Sequence, residues 1–569
     1  MLILRLALLF ATLIAPPPAS AARSLLYNQI NLSNHSRRFH QDRFLISYWV
    51  GPQVPIPELD QRFAEIAAAN FTGHLGFNGH GNSHGLYNDT EIHPSKERVS
   101  AEIALCDKYD LVCIPTLCGK IDLHAGGTLP QECLHLGKNS PNFWGFQLLD
   151  EPQASLFPQI GTFAQKLAAA RPTALQFYNL LGSGAHNFPN QSSYEDYWSG
   201  YIASVKPDVL SQDFYPDFQI SRGKPLPVHQ RESKERYAIS LAVQRKQGLL
   251  NGVPFWNFLN AMPFSSEHAD PTEAMLRWQV MTSLAYGASG YMYFCYWSPG
   301  VFPLGGGIIV PRGSTKTAAG FEMVAGPHYF EAQRINSVAK IYGGFLLGRK
   351  SLGVFRADSV VSNVTNAASP GAPYHTENGG SFWGDDRAPP QPISPDCAIA
   401  SLTGSGIRPQ DENQWLIGQF DLTSAPSWGP ASRLTVPSTH ALAILLTNHD
   451  ENRKVWSTVV WADFINSTSV LELDPIHGVL APFHDDSPWE SGTQVALDAG
   501  GARLFVLQQQ KPPMLHCDPK FGGTLVHIGC VSGGCDRHFK APHKEYNDEC
   551  CAKDKAGVVD MSWTCCVKH

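Results

Sequence analysis

Eight short apolar runs separated by amphipathic stretches fill the first half of this chain, and that alternation constrains the fold more than any single motif. The runs lie at 44–50, 71–77, 111–117, 143–149, 174–180, 209–215, 254–259 and 290–297. Between them, 57–69, 95–109, 154–170, 194–205, 231–248 and 271–286 carry helical periodicity. Only the third connection, near 129–138, lacks it. The last of these helices opens Asp270-Pro271-Thr272-Glu273, read as a capping Asp, a proline in the first turn and a Glu reaching back. Strands that alternate with helices are parallel and joined by right-handed crossovers. Eight such units predict an α/β chain whose residues 40–345 close into a (β/α)8 TIM barrel. An open doubly wound sheet is the competing arrangement, but no glycine-rich phosphate loop follows the first run.

A barrel of this kind places its chemistry at the C-terminal ends of the strands. Read in order, those ends present Tyr48 and Trp49, Asn78, Asp150 and Glu151, Asn179, Asp213 and Tyr215, Asn257 and Asn260, and Tyr296 and Trp297. The fourth end is the most informative. An apolar, aromatic run stops in two adjacent acids and Pro152, which lacks the donor a strand ladder needs. Adjacent carboxylates repel, so at least one is expected to hold its proton at higher pH, as a general acid requires. A charged turn after a strand is the plainer reading of Asp-Glu-Pro, and its place at the fourth of eight ends sets it apart. The aromatics and amides around the same mouth suit a sugar, with rings against C–H faces and amides on hydroxyls. Trp297 is the expected platform, although core packing is the ordinary fate of such aromatics.

The barrel resembles the glycoside hydrolases that carry their acid at the end of strand four. Trp144-Gly-Phe-Gln-Leu-Leu-Asp-Glu-Pro152, Asp213-Phe-Tyr-Pro216 and Leu284-Ala-Tyr-Gly-Ala-Ser-Gly-Tyr-Met-Tyr293 are similar to family 42 enzymes and to clan A generally. In that clan an Asn-Glu-Pro supplies the acid/base and a Glu ending strand seven the nucleophile. Here Asp150 stands in the Asn position, and strand seven, Pro254-Phe-Trp-Asn-Phe-Leu-Asn260, ends without a carboxylate. The nearest acid, Glu267, lies in the following loop.

Two chemistries fit that departure. The Asp-Glu pair is similar to that of the substrate-assisted hexosaminidases, including family 123 β-N-acetylgalactosaminidases, in which the substrate's 2-acetamido oxygen is the nucleophile. This likeness implies Glu151 as the proton donor, Asp150 as the acceptor of the acetamido N–H, and Tyr215 at the acetamido oxygen. Alternatively Asp213 is the second carboxylate, retaining at about 5 Å from Glu151 and inverting at about 6.5–9.5 Å. Glu267 as nucleophile ranks behind both. A barrel that binds sugar without cleaving it is the alternative outside enzymology. His74, His80, His84 and His124 raise a metal hydrolase, but their spacing matches no metal frame. No cofactor is expected; the expected partner is an oligosaccharide, polysaccharide or glycoconjugate.

The flanking segments describe the rest of the chain. Arg5, the apolar run 6–14 and Ala19-Ser20-Ala21 form an export signal over 1–21. Asn-x-Ser/Thr sequons at Asn31, Asn34, Asn70, Asn88, Asn190, Asn363 and Asn466 agree with a secreted glycoprotein. A net charge of −7 without a basic run argues against nucleic acid, and no later segment reads as a membrane span. Residues 346–396, rich in Gly, Ser, Pro and Asn, read as a linker or long loop, and 397–511 as a β-sandwich that braces the barrel. Residues 512–569 hold seven of the 13 cysteines, Cys517, Cys530, Cys535, Cys550, Cys551, Cys565 and Cys566, and read as a disulfide-stapled domain. This tail is a candidate binder of polymer or cell wall. Cys106, Cys113, Cys118 and Cys133 are close enough in sequence to pair, whereas Cys295 reads as a buried free thiol.

Overall fold

The structure, a computed structural model, describes residues 39–76, 95–117, 123, 128–131, 133–184, 188, 190–220, 225–298, 306–313, 322–357, 364–366, 397–403, 415–423, 436–483, 493–509, 523–526 and 565–568. The expected export signal over 1–21, Asn78, His80, His84, His124, Cys118 and most of the cysteine-rich tail lie outside the described residues. The chain forms two compact units.

The first unit begins with strand–helix alternation. β1 (Leu45–Tyr48), β2 (Gly73–His74), β3 (Val112–Cys113), β4 (Gly145–Asp150), β5 (Leu175–Leu181), β6 (Leu210–Asp213), β7 (Phe255–Asn260) and β8 (Gly290–Phe294) follow one another in the chain. Helices α1 (Leu59–Ala68), α2 (Lys96–Tyr109), α3 (Phe157–Ala170), α4 (Gln191–Val205), α5 (Leu226–Asn251), α6 (Glu273–Ala285) and α7 (Pro327–Leu346) connect or follow them. Six strands pair in parallel in the order β1-β8-β7-β6-β5-β4, and β2 pairs with β3. Backbone bonds close the remaining gaps. Cys113 and Thr116 bridge in parallel to Phe143 and Gln147, and the Thr72 N–H donates to Ile46 O at 2.9 Å. The eight strands therefore form the curled parallel sheet of a (β/α)8 barrel. The connection from β3 to β4 is made of turns over 131 and 133–139, as its sequence implies.

Local chemistry fixes the helix starts. Ser95 Oγ accepts the Arg98 N–H ahead of α2, and Asn190 forms a capping box with Ser193 ahead of α4. The expected Asp270 cap is corrected. α6 begins two residues later, where Thr272 Oγ1 accepts the Met275 N–H at 3.1 Å. Asp270 instead meets His328 Nε2 at 3.1 Å. A cation on α7 is the stronger partner for that carboxylate.

The β-rich part contains a seven-stranded antiparallel sheet and a three-stranded one. The larger sheet runs β12-β11-β14-β15-β20-β17-β18: Val364–Asn366, Lys350–Ala357, Trp415–Asp421, His440–Asn448, Ala502–Gln508, Leu471–Leu473 and Leu480–Pro482. The smaller is β13-β16-β19: Ile399–Thr403, Val455–Trp461 and Thr493–Leu497. A separate two-stranded hairpin, β9 (Ile309–Pro311) with β10 (Met323–Ala325), precedes α7. Along β16 buried and outward positions alternate, and buried Trp461 meets Phe505 of the larger sheet edge-on at 5.7 Å. The predicted linker is corrected over its first residues, since β11 and β12 belong to the larger sheet. Arg245 of α5 donates to Ser351 Oγ at 2.8 Å and to Ser351 O at 3.0 Å, tying β11 to the barrel.

α6 lies against the same sheet. A Cβ on Gly418 of β14 would stand 2.4 Å from the Ala285 carbonyl oxygen. Gly418→Ala should therefore cost about 1–3 kcal/mol by overpacking. The expected result is a lower Tm with unchanged turnover at room temperature; an unchanged Tm would contradict this contact.

The second unit comprises Asp463–Asn466 and Gln509–His569. In it Ile465 bridges Gln509, and β21 (Gly523–Val526) pairs antiparallel with β22 (Cys565–Lys568). No helix among the described residues is long and apolar enough to cross a membrane. Cys133 is disulfide-bonded, whereas Cys106, Cys113 and Cys295 are buried free thiols.

Candidate active site

Three carboxylates meet where β4, β5 and β6 end. The register sets Asp150 opposite Asn179 and Leu181 opposite Asp213. Asn179 lies between them. Its Nδ2 donates to Asp150 Oδ1 at 3.1 Å, and its carbonyl accepts the Glu151 N–H at 2.9 Å. Glu151 adopts φ +45°, a left-handed backbone that costs a residue with a Cβ about 1–2 kcal/mol. Strain of this size persists where the surroundings enforce it, and it is common at reactive sites. Here the Asn179 carbonyl holds Glu151 on one side. On the other, Tyr197 of α4 donates its hydroxyl to Pro152 O at 2.8 Å. The turn leaves Glu151 exposed, with Asp150 and Asp213 half-buried beneath it.

Burial and mutual repulsion set the charge state. Burial, then Glu151 and Asp150, push the Asp213 carboxyl well above the ordinary carboxylate range. Its Oδ1 meets no hydrogen-bond partner among the described residues. Burial raises Asp150 to about 6, opposed by the Asn179 hydrogen bond. Burial followed by the charges of Asp213, Asp150 and Glu151 raises the Tyr215 hydroxyl, so it stays protonated. Asp150 and Asp213 therefore hold their protons to higher pH than isolated carboxyls do.

That charge state has a stability signature. Asp150 takes up its proton at higher pH in the native protein than in the unfolded chain, so its contribution to stability falls as pH rises from about 4 to about 6. Asp150→Asn removes this cost. The variant should exceed the wild type by up to about 3 kcal/mol at pH 7. The gain should vanish near pH 4. Melting curves at both values check this, and a gain independent of pH would contradict it.

The aromatics divide differently from the sequence expectation. Tyr48 is buried, bonded to His74 Nδ1 at 2.7 Å and stacked on Tyr296 at 4.5 Å. Trp49 packs edge-on against Phe258 at 5.6 Å. Trp297 is only 2% exposed, with the Arg62 guanidinium 5.2 Å above its ring. It is no open platform, because Ile309 bridges to it and the backbone around that bridge returns over the strand-eight end. Asn257 faces the helices, where its Nδ2 donates to Tyr237 and Ser283. Asn260 is buried and exchanges backbone bonds with the Gln279 side chain. Glu267 acts electrostatically on His268, while its carbonyl accepts the Gln219 N–H. His74, the described member of the histidine set, is buried between Tyr48 and Glu102. No group of three or more metal-ligating side chains occurs among the described residues.

Two aromatics that the strand-end reading omitted stand beside the acids instead. Phe264 and Phe294, both half-buried, lie 5.0 and 5.2 Å from the Tyr215 ring and 5.3 Å from each other. Tyr215, Phe264 and Phe294 form an aromatic wall next to the carboxylates. Phe264 belongs to an aperiodic loop and carried no sequence signal. Phe294 sits within an apolar run where it resembled core.

No protein-family model matches the sequence, and no curated protein matches it. Solved structures that resemble the chain include a family 42 β-galactosidase from G. stearothermophilus, at 8% identity, covering 83% of this chain and 99% of that one with a TM-score of 0.41. A family 51 arabinofuranosidase from Xanthomonas axonopodis pv. citri matches at 10% identity over 83% and 96%, with a TM-score of 0.40. A family 5 mannosidase from Rhizomucor miehei matches at 12% identity over 53% and 94%, with a TM-score of 0.36.

Proposed function

We propose that this protein is a secreted glycoside hydrolase whose general acid is Glu151. The observation that carries the reading is the convergence of Asp150, Glu151 and Asp213, two of them raised by burial, beside a partly open aromatic wall. Cleaving an acetal requires a proton for the leaving oxygen and a negative group facing the oxocarbenium-like centre. Glu151 is the exposed member and the one a substrate can reach. The half-buried carboxyls beneath it supply negative charge to the site.

Asp213 and Asp150 are unequal candidates for the second role. A carboxyl pushed well above its ordinary range, as Asp213 is, favours its protonated form, and that form makes a poor nucleophile or base. Asp150 ionises above about pH 6, and the Asn179 amide fixes one of its oxygens. This favours substrate assistance on a 2-acetamido sugar, with Asp150 accepting the acetamido N–H and Tyr215 beside it. Direct participation of Asp213 is the second reading, because its unsatisfied Oδ1 and the Glu151 charge that acts on it tie it to the acid. The export signal and sequons supply the proposal of secretion. The cysteine-rich tail is proposed as an accessory binder of polymeric material.

A panel of aryl glycosides with and without the 2-acetamido group tests the function. Cleavage of the 2-acetamido members, inhibited by a thiazoline analogue, is the expected result. Cleavage of plain 2-hydroxy glycosides would exclude obligatory assistance. Sugar binding without any hydrolysis would establish the non-catalytic barrel instead.

A further inference from the structure

Asn179 acts on Asp150 through its side chain and on Glu151 through its carbonyl, and a second residue supports the way its amide sits. Ser211 Oγ on β6 donates to Asn179 Oδ1 at 2.9 Å, and both residues are buried. The hydroxyl gives the amide oxygen a donor and so favours the orientation in which Nδ2 faces the carboxylates, where it donates to Asp150 at 3.1 Å. The same amide is within hydrogen-bonding reach of Asp213. A reversed amide would turn its oxygen toward these acids, exchanging an attraction for a repulsion.

We propose that the Ser211–Asn179 pair is a positioning device that decides how the shared proton is divided among Asp150, Glu151 and Asp213. The inference rests on the glycosidase reading for its kinetic consequence, but its electrostatic core does not. Among the described residues, the other titratable groups facing these acids are Tyr194 and Tyr197 of α4 and Tyr215 after β6, with Cys295 after β8 against Tyr215. All four are raised, hence neutral at physiological pH, so they supply no competing charge. The Asn179 amide stabilises the ionised form of Asp150 and also acts on Asp213, where burial and the neighbouring charges outweigh it. Without the Ser211 hydroxyl the amide can rotate, and Asp150 ionises at a higher pH.

Ser211→Ala tests this. The acidic limb of kcat/KM should move upward by about half to one pH unit, the scale of one charge-assisted hydrogen bond. At pH 5, below the limb, kcat should fall about three- to tenfold with KM nearly unchanged, and at pH 7 by less than about twofold, because the loss concerns proton placement and not uniform binding. Ser211→Thr keeps the hydroxyl on a strand that favours β-branching. It should restore the wild-type profile. A purely structural role would lower Tm without moving the limb, and that outcome overturns the proposal. So would a wild-type profile in Ser211→Ala.

Should the wild type cleave no glycoside, the function fails while the device remains testable. Carboxyl titration by NMR on protein labelled with ¹³C-aspartate, with the Asp150 signal identified by its absence in Asp150→Asn, should still show Asp150 ionising at higher pH in Ser211→Ala. An unmoved Asp150 titration overturns the inference.

Discussion

Glu151→Gln is expected to lower turnover of unactivated glycosides by about 10²–10⁴, the usual contribution of a positioned general acid. The amide preserves shape and hydrogen bonding but has no proton to give. Aryl glycosides with good leaving groups should lose far less, because their departure needs little protonation. Glu151 sits in a left-handed turn held by the Asn179 carbonyl, so Gln at the same φ keeps the backbone and adds no new strain. Melting temperature should change little, which separates lost chemistry from lost fold. Full activity of Glu151→Gln on an unactivated substrate, measured as kcat/KM, would remove Glu151 from the mechanism.

The second large effect separates Asp150 from Asp213. Burial and the neighbouring charges favour the protonated form of Asp213, and Asp213→Asn replaces that form by a near-isosteric neutral group, so it should cost no more than about tenfold in kcat. Asp150 contributes charge. Asp150→Asn should lose about 10²–10³, comparable to removing one electrostatic stabiliser from a preorganised site. The wild-type rate should also decline as pH falls through about 6, where Asp150 takes up its proton. Rates on a 2-acetamido glycoside across pH 4–8 check both variants and the wild type. A dead Asp213→Asn beside a vigorous Asp150→Asn would reverse the assignment and make Asp213 the second catalytic carboxylate.

Much of this site is legible in the sequence because strand ends are. Asp150 and Glu151 before Pro152, and Asp213 with Tyr215, lie at the ends of apolar runs, and barrel closure brings those ends to one mouth. The direction each residue faces is harder to read. Parallel strands are covered on both sides, so inward and outward positions are equally apolar and alternation is lost. β7 is buried at all six positions, and nothing in its composition shows that Asn257 turns toward the helices. The same loss hides Tyr48, Tyr296 and Trp297 in the core. Ser211 had a readable signal, since it lies two residues before Asp213 and so shares its face. Beyond the barrel, Gly353 and the charged Lys350 and Arg356 interrupt the pattern of β11, which made a sheet strand resemble a linker.

The most direct test of the central claim is hydrolysis itself, followed by NMR of the anomeric proton during cleavage of the 2-acetamido glycoside. A proton-holding group of Asp150, Glu151 and Asp213 that works with the substrate's acetamido oxygen predicts release of the sugar with retained configuration by the wild type, and none above background by Glu151→Gln. Inverted product, or equal release by the two proteins, would contradict the account.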